Sequence, residues 1–196
     1  MADVKHFDEA AVLGVVVELF WRQGMATTGI RDVVAATGVS RSSLYATFGD
    51  KKQLYLAALD RYLDDNALPG FARLADDPSG LPAIARFFDQ LIRVRCSGER
   101  ARWGCLMVNA HTGAESADPD VRRRLDRHHG QLRAAFRDAL GTARRLGQLH
   151  PGVDPESAGG QLALLAYGVN LRSRAGAPAA ELDDTVRHAL SALAAH

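Results

Sequence analysis

The sequence lacks most of the signals that mark secreted, disulfide-stabilised or membrane proteins. Only two cysteines, Cys96 and Cys105, occur in 196 residues, which is too few for a disulfide scaffold. The longest apolar run, residues 10–20, is interrupted by Glu18 and is far shorter than the roughly 20 apolar residues that span a bilayer. No secretion signal is recognisable. We therefore expect a cytoplasmic protein that makes no membrane contact and keeps its thiols reduced.

Strand signals and excess charge are also scarce. β-Branched residues are scattered, and the Asn-Gly and Asp-Gly pairs typical of hairpins do not occur. The formal net charge of +1 indicates neither nucleic acid nor an acidic membrane as a partner. The sequence is instead rich in alanine, leucine and arginine, which favour helices, and its apolar fraction of 47% is sufficient for a core.

Apolar residues recur at intervals of three and four along most of the chain, as on one face of an amphipathic helix. This spacing predicts an all-α protein of about nine helices. Helices are expected from Asp8 to a stop at Gly24, at about 51–66, 82–97 and 103–114, and beginning at residue 118, at Pro155 and at Asp183. Loops are predicted at residues 69–70 and 76–80, and the boundary between two parts of the chain is placed at 66–80.

The segment after the first helix breaks into unusually short helices. Thr28 is predicted to cap a helix that Gly38 ends by adopting a left-handed conformation. Ser40 is then expected to cap a second short helix, and Asp50 a third. Two helices joined by a tight glycine turn are typical of the helix-turn-helix motif, here about residues 29–48.

The second helix of this motif carries small polar side chains where an ordinary amphipathic helix would be apolar. Leu44 and Phe48 are predicted to anchor it inward. Its outward face is hydrophilic and low in bulk, as the major groove of DNA requires. The outward residues are Arg41, Ser42, Ser43 and Thr47, with Tyr45 and Lys51 placed to meet phosphates. The alternative is an antiparallel helix pair within a bundle, with a polar outer helix.

Charge gives this hypothesis local support. Residues 22–52 contain five basic side chains against two acidic ones, although residues 1–66 as a whole are slightly acidic. Positive charge is therefore concentrated near the predicted DNA face.

These residues resemble the N-terminal DNA-binding domain of TetR-type transcriptional repressors. The similarity covers about residues 7–62. It rests on features in register at Phe20, Gly24, Thr28, Ile30, the Gly38-Val39-Ser40 turn, Leu44, Tyr45, Phe48, Lys51 and Leu54. The chain departs from the family at Ser42, where glycine is frequent, and at Ala46 and Thr47, where aromatic or imidazole side chains are frequent. Either of these last two side chains is suited to pack against a thymine methyl group.

The resemblance implies a homodimeric regulator with a DNA-binding domain at 6–66 and a C-terminal ligand-binding and dimerisation domain at 67–196. Its partners would be a pseudo-palindromic double-stranded DNA operator and a small-molecule inducer. Its last two long helices would form the dimer interface. It also implies phosphate contacts from Thr28, Tyr45 and Lys51, and contacts to bases or backbone from Arg41, Ser42 and Ser43.

The C-terminal half resembles a TetR subgroup in which a Gly-Cys-Leu sequence begins a central helix, here at residues 104–106. In some members of that subgroup the cysteine senses electrophiles or oxidants. Cys105 is therefore a candidate thiol switch, and both a helix N-terminus and the neighbouring Arg102 would favour its reactive thiolate. The alternative is a small buried side chain that only packs the core.

A non-covalent lipophilic inducer is the other possibility for the regulatory ligand. Its pocket would be lined by aromatic and thioether side chains, and the same side chains also suit a hydrophobic core. The candidates are Phe88, Trp103, Met107, Phe136 and Tyr167.

Neither a metal nor a cofactor is predicted. His128 and His129 are adjacent and so point to different faces of a helix, and no phosphate-binding glycine loop or hydrolase motif occurs. We therefore do not expect an enzyme. The alternative is a helical enzyme or another module without DNA that uses Cys105 and His111 as a nucleophile–base pair.

Overall fold

The computed structural model describes residues 7–195, and this part of the chain contains ten α-helices and no β-strand. The helices are α1 (Glu9–Gln23), α2 (Ile30–Thr37), α3 (Arg41–Phe48), α4 (Lys51–Tyr62), α5 (Leu68–Asp76), α6 (Leu81–Cys96), α7 (Leu106–His111), α8 (Pro119–Arg145), α9 (Pro155–Arg174) and α10 (Ala179–Ser191). A stretch of wider π-helix, Leu63–Ala67, follows α4, and a 3-10 turn, Ala114–Ala117, precedes α8. The predicted all-α class is confirmed. No helix within residues 7–195 is both long and apolar enough to cross a membrane.

The helices group into two compact units. The first contains the chain up to Asp65 together with Cys105–Leu125, which comprises α1 to α4, α7 and the beginning of α8. The second contains Asn66–Gly104 and the chain from Asp126 onward. We expected all of 67–196 to form the second domain. The structure differs because α7 packs on α1 and α4. The outer ends of the predicted domains, residues 6 and 196, lie outside the described residues.

Two of the predicted helix caps, Ser40 and Asp50, are present as hydrogen bonds, and Asp8, expected at the start of α1, is a third cap. The Asp8 carboxylate accepts from two amides of the first turn of α1, the nearer at 2.9 Å. The Ser40 hydroxyl accepts from the amide of Ser43 at 3.2 Å, and the Asp50 carboxylate accepts from the amide of Gln53 at 2.8 Å. Each side chain satisfies a backbone donor that has no partner within its own helix, which fixes where α1, α3 and α4 begin.

Thr28 is not the cap of α2, contrary to the prediction. Gly29 occupies the cap position, and its amide donates to the carboxylate of Asp32 at 2.7 Å. Thr28 lies one residue earlier, is fully buried, and donates from its hydroxyl to the carbonyl of Gly24 at 2.6 Å. Gly38 ends α2 as predicted, with a φ of 70° that glycine adopts without the steric cost of a Cβ.

Three other boundaries differ from the prediction. Residues 69–70 are not a loop, because Pro69 lies in the first turn of α5, where its missing N–H costs no hydrogen bond. The last helix begins at Ala179, four residues before the expected Asp183. The central helix is limited to Leu106–His111. The remaining predicted loop, at 76–80, separates α5 from α6.

The core of the first unit holds α3 in place. The rings of Phe20 on α1 and Tyr55 on α4 meet edge to face, with their centroids 5.0 Å apart. Val33 of α2 and Leu44 of α3 are completely buried. Because Leu44 anchors one side of α3 in this core, the opposite side of the helix faces solvent.

The second unit is built around α8 and its aromatic contacts. The rings of Phe88 on α6 and Phe136 on α8 stack with their centroids 5.5 Å apart, and both side chains are fully buried. α9 approaches α8 closely at Gly159, where a Cβ would lie 3.1 Å from the backbone nitrogen of Arg137. Such packing leaves little room for changes of volume.

Two leucines near the end of α8 provide a matched test of this core. Leu140 is fully buried, whereas Leu146 is 53% exposed. Leu140→Ala should lower the free energy of unfolding by about 2–5 kcal/mol, because it removes buried methyl groups and leaves a cavity. Leu146→Ala should change it by less than about 0.5 kcal/mol. Urea denaturation at equal protein concentration measures both, and equal losses would contradict the assignment of the core.

Candidate nucleic-acid interface

The exposed side of α3 presents the polar groups predicted from the sequence. Arg41, Ser42 and Thr47 are exposed, as is Ala46. Leu44 is buried beneath them and fixes the rotation of the helix. The face is narrow, hydrophilic and free of large apolar side chains, which suits insertion into the major groove of DNA.

Three serine hydroxyl groups are linked at the start of α3. The Ser40 Oγ lies 3.0 Å from the Oγ of Ser42 and 2.9 Å from the Oγ of Ser43. Because Ser40 also caps the helix, the network holds the other two hydroxyl groups at its N-terminus. A hydroxyl group can both donate and accept, so these groups can turn toward phosphate or base-edge atoms.

The guanidinium group of Arg41 lies over the ring of Tyr45, one turn further along α3. The distance from the guanidinium carbon to the ring centroid is 5.1 Å, which is within the range of a cation–π interaction. Stacking limits the freedom of the long arginine side chain, so less entropy is lost when it binds DNA. Tyr45 is half-buried and combines this support with a hydroxyl group suited to a phosphate contact.

The two lysines at the start of α4 have different surroundings. Lys51 forms no ion pair with any of the described residues, and it is half-buried. The Lys52 Nζ lies 2.7 Å from a carboxylate oxygen of Asp118 and 2.7 Å from one of Asp120. Hydrogen bonds from Lys52 lower the pKa of both carboxyl groups and raise the pKa of Lys52, so all three groups are charged at neutral pH. Lys52 therefore contributes less positive charge to the predicted DNA face than the sequence suggested.

The location of Thr28 argues against its predicted phosphate contact. Its side chain is fully buried, and its hydroxyl group is already bonded to the Gly24 carbonyl. In this structure Thr28 connects the end of α1 to the start of α2, and it does not lie on the exposed face.

The six residues predicted for ligand or redox sensing divide between the two units. Cys105 and Met107 belong to the first unit and are buried on or next to α7. The other four belong to the second unit; these are Phe88, Trp103, Phe136 and Tyr167.

Cys105 precedes α7 as its cap residue and does not lie within the first turn as predicted. Its residue surface is only 4% exposed, and it forms no disulfide with Cys96. α7 has only six residues, so the electrostatic effect of its N-terminus is weaker than that of a long helix. Arg102, expected to assist the thiolate, adopts a φ of 64° and directs its guanidinium group toward Gly176 in the second unit.

The thiol of Cys96, in the second unit, has a raised pKa. This residue ends α6, and both its partial burial and the negative charge of Asp183 raise the pKa of its thiol. A raised pKa keeps this thiol protonated and slow to react.

An aromatic cluster connects three of the four predicted ligand residues of the second unit, namely Phe88, Phe136 and Tyr167. The ring of Phe87 lies 5.1 Å from that of Phe136 and 6.5 Å from that of Phe71, which in turn lies 5.4 Å from His128. The Nδ1 of buried His128 lies 3.0 Å from the hydroxyl of Tyr167. His128 was not predicted as a polar centre within this apolar cluster, because its spacing from Leu125 and Leu132 in the sequence indicates only that it faces the core.

The described residues include no group of three or more metal-ligating side chains that could hold a metal ion. The alternative nucleophile–base pair lies at the two ends of α7, with Cys105 as its cap residue and His111 as its last residue. Six helical steps correspond to about 9 Å along the axis, a separation that does not favour the hydrogen bond of such a pair.

Comparison with known proteins agrees with this geometry. The family described as "Bacterial regulatory proteins, tetR family" matches residues 13–58, and "Tetracyclin repressor-like, C-terminal domain" matches residues 80–189. The chain is 32% identical over 146 residues to the HTH-type transcriptional regulator YezE of Bacillus subtilis (strain 168), covering 74% of this chain and 75% of YezE. It is 30% identical over 174 residues to the HTH-type transcriptional repressor ComR of Escherichia coli (strain K12), covering 88% of this chain and 82% of ComR.

Solved structures show the same architecture. A cysteine mutant of the TetR-family regulator CifR, complexed with 26-base-pair double-strand operator DNA, superposes with a TM-score of 0.83 at 26% identity, covering 96% of this chain and 98% of CifR. The reduced form of Escherichia coli NemR, at 21% identity, has the same fold with a TM-score of 0.81, covering 95% of this chain and 96% of NemR. The fold and the exposed recognition helix define a helix-turn-helix transcriptional regulator that binds DNA. With matches to both family domains, the chain belongs to the TetR family.

Proposed function

We propose that this protein is a repressor that binds a pseudo-palindromic operator as a homodimer, with one α3 helix in each of two successive major grooves. The observation that carries the proposal is the exposed polar face of α3 held on the buried anchor Leu44. ComR is named a repressor, and CifR was solved on operator DNA, which supports the same role here. A DNA-binding role also supports a cytoplasmic site of action. Catalysis plays no part in this role.

The DNA contacts divide by chemistry. Arg41, Ser42 and Thr47 are exposed on α3 and are suited to base edges, since guanidinium groups bond guanine in two places and methyl groups pack against thymine. Lys51 and the Tyr45 hydroxyl are suited to phosphates. Ser43, half-buried and bonded to Ser40, is suited to a neighbouring backbone oxygen.

Release from DNA is proposed to follow either covalent modification of Cys105 or binding of a ligand in the second unit. A thiol-reactive electrophile or oxidant would modify Cys105, next to a helix that packs on α1 and α4 of the DNA-binding unit. A non-covalent lipophilic inducer would instead bind within the aromatic cluster around Phe136 and Tyr167. In either case the effector must favour a state that binds DNA poorly, since equal affinity for both states shifts nothing.

Substitutions at Arg41 and Lys51 test the proposed DNA contacts. Lys51→Ala should weaken binding to all DNA sequences alike and lower the slope of log affinity against log salt by about 0.9 per contact, or roughly two units for a dimer. If Arg41 reads a guanine, Arg41→Ala should cost about 1–3 kcal/mol per subunit and relax specificity at one base position. The measurement is fluorescence anisotropy on the region upstream of the gene, with a shuffled fragment as the non-specific reference.

Two further variants make this test specific. Arg41→Lys keeps the charge but loses the bidentate geometry, so it should behave like Arg41→Ala at a guanine and like wild type at a phosphate. Arg73→Ala, an exposed arginine on α5 in the second unit, should leave the affinity unchanged. Wild-type affinity in both Arg41→Ala and Lys51→Ala would refute the proposed interface.

A further inference from the structure

Lys52 lies next to the proposed DNA contact Lys51 but makes a different set of contacts. Its ammonium group is shared between the carboxylates of Asp118 and Asp120, at 2.7 Å from each. Asp120 also pairs with Arg123. Asp118 caps α8 by accepting from the backbone amide of Asp120 at 2.8 Å. The two carboxylates are therefore fixed to the first turn of α8, and they hold the first turn of α4 through Lys52.

Two more links join α4 to Glu115, just before α8, and to Arg124 in the second turn of α8. The Tyr55 hydroxyl donates to the Glu115 carboxylate at 3.4 Å. The guanidinium group of Arg124 donates to both carboxylate oxygens of Asp60, at 2.9 and 2.7 Å. We name the three links, at Lys52, Tyr55 and Asp60, the α4 latch. It extends over more than two turns of α4, and all of its residues lie within the first unit.

We propose that Lys52 is a positioning residue for DNA binding and not a DNA contact: its ion pairs with Asp118 and Asp120 set the orientation of the first turn of α4. This inference rests on the proposed function, because it assumes that α3 and Lys51 meet the operator. Only Gly49 and Asp50 separate α3 from α4, so the orientation of this turn is transmitted to the recognition helix.

The charges around Lys52 explain why it is a poor candidate for a phosphate contact. Together with Arg123, which pairs with Asp120, the two carboxylates neutralise the ammonium group, so this group offers a phosphate no excess positive charge. Successive residues on a helix point about 100° apart. Holding Lys52 toward Asp118 and Asp120 therefore turns Lys51 to another side of α4. The same contact that withdraws one lysine from DNA thus orients the other.

The positioning role and a direct DNA contact predict opposite results for one variant. Asp118→Asn with Asp120→Asn removes both countercharges, while asparagine can still cap α8. If Lys52 positions α4, operator affinity should fall by about fivefold, in line with the loss of partly exposed ion pairs, and the salt slope should stay at its wild-type value. If Lys52 is a DNA contact held back by the aspartates, affinity should rise and the slope should steepen by about two units per dimer. Either that result or an unchanged affinity would overturn the proposal.

Variants at Lys52 test the same inference from the other side. Lys52→Met should reproduce the fivefold loss without lowering the salt slope, whereas Lys52→Arg should restore wild-type affinity by keeping both ion pairs. A slope lowered in Lys52→Met would show a phosphate contact and refute the proposal. Asp64→Asn, an exposed carboxylate outside the latch, is the matched control and should bind like wild type. Thermal unfolding identifies any variant that has simply lost its fold, and the Lys52→Arg rescue excludes a general loss of stability.

The failure of this inference is distinguishable from the failure of the proposed interface. If α3 does not bind DNA, Arg41→Ala and Lys51→Ala bind like wild type. If only the latch is wrong, those two variants lose affinity while the double asparagine variant does not.

Discussion

Leu164→Asp is expected to convert the dimer into monomers that no longer bind operator DNA. Leu164 is 65% exposed and Leu171, two turns further along α9, is 42% exposed. Gly168 lies between them, and a Cβ placed there would meet no atom within 4 Å. This strip is apolar and open, as a surface that packs against its two-fold mate should be. Aspartate at position 164 of this strip would bury two charges in the dimer, one from each subunit.

The expected loss of DNA binding is large because a monomer meets only one half-site. Half of the binding free energy of a nanomolar complex is about 6 kcal/mol, so affinity should fall by at least about a thousandfold. Analytical ultracentrifugation measures the oligomeric state, and fluorescence anisotropy measures the affinity for operator DNA. Arg41 and Lys51 remain unchanged in this variant, so loss of affinity cannot come from loss of DNA contacts.

A matched substitution separates the interface from exposed leucines in general. Leu146 is 53% exposed but lies just beyond α8, so Leu146→Asp should remain dimeric. Leu165 on α9 and Leu190 on α10 are less specific probes of this interface, because both residues are half-buried within their own subunit. A wild-type protein that sediments as a monomer at micromolar concentration, or a dimeric Leu164→Asp, would contradict this interface.

Local chemistry explains which parts of the fold the sequence could predict. The caps at Asp8, Ser40 and Asp50 each bond a backbone amide two or three residues away. A few neighbouring residues are therefore enough to predict where each helix begins. The left-handed turn at Gly38 is equally local. These short-range rules placed α3 and its exposed face, which is why the candidate DNA contacts could be named from the sequence.

Features that depend on distant residues could not be predicted in this way. Thr28 and Gly29 compete for one cap position, and the outcome depends on burial of the Thr28 side chain as well as on the Asp32 carboxylate. Lys52 and Asp118 are far apart in sequence, and no periodicity connects them. The same holds for α7, whose packing on α1 and α4 assigns it to the first unit.

Because α7 packs on α1 and α4, modification of Cys105 is predicted to abolish DNA binding. If modification at Cys105 is the inducing signal, an α,β-unsaturated aldehyde should release the wild-type dimer from DNA. In this reaction the sulfur forms a bond with the β-carbon of the aldehyde, and the thiol proton is transferred to the α-carbon. The adduct would add several atoms at a residue that is only 4% exposed. Overpacking of this kind costs about 1–3 kcal/mol or more, and α7 would transmit the displacement to α1 and α4.

Three variants decide between a thiol switch and core packing. Cys105→Ser should bind DNA and remain bound in the presence of aldehyde or hypochlorite, since a hydroxyl group does not react in this way. Cys96→Ser should respond like wild type, because the raised pKa of the Cys96 thiol keeps it protonated and slow to react. Mass spectrometry on the released protein should locate the adduct on Cys105.

If Cys105→Ser is released as readily as wild type, Cys105 only packs the core. The inducer would then be a non-covalent lipophilic molecule, and Phe136→Ala in the aromatic cluster should change its half-maximal concentration.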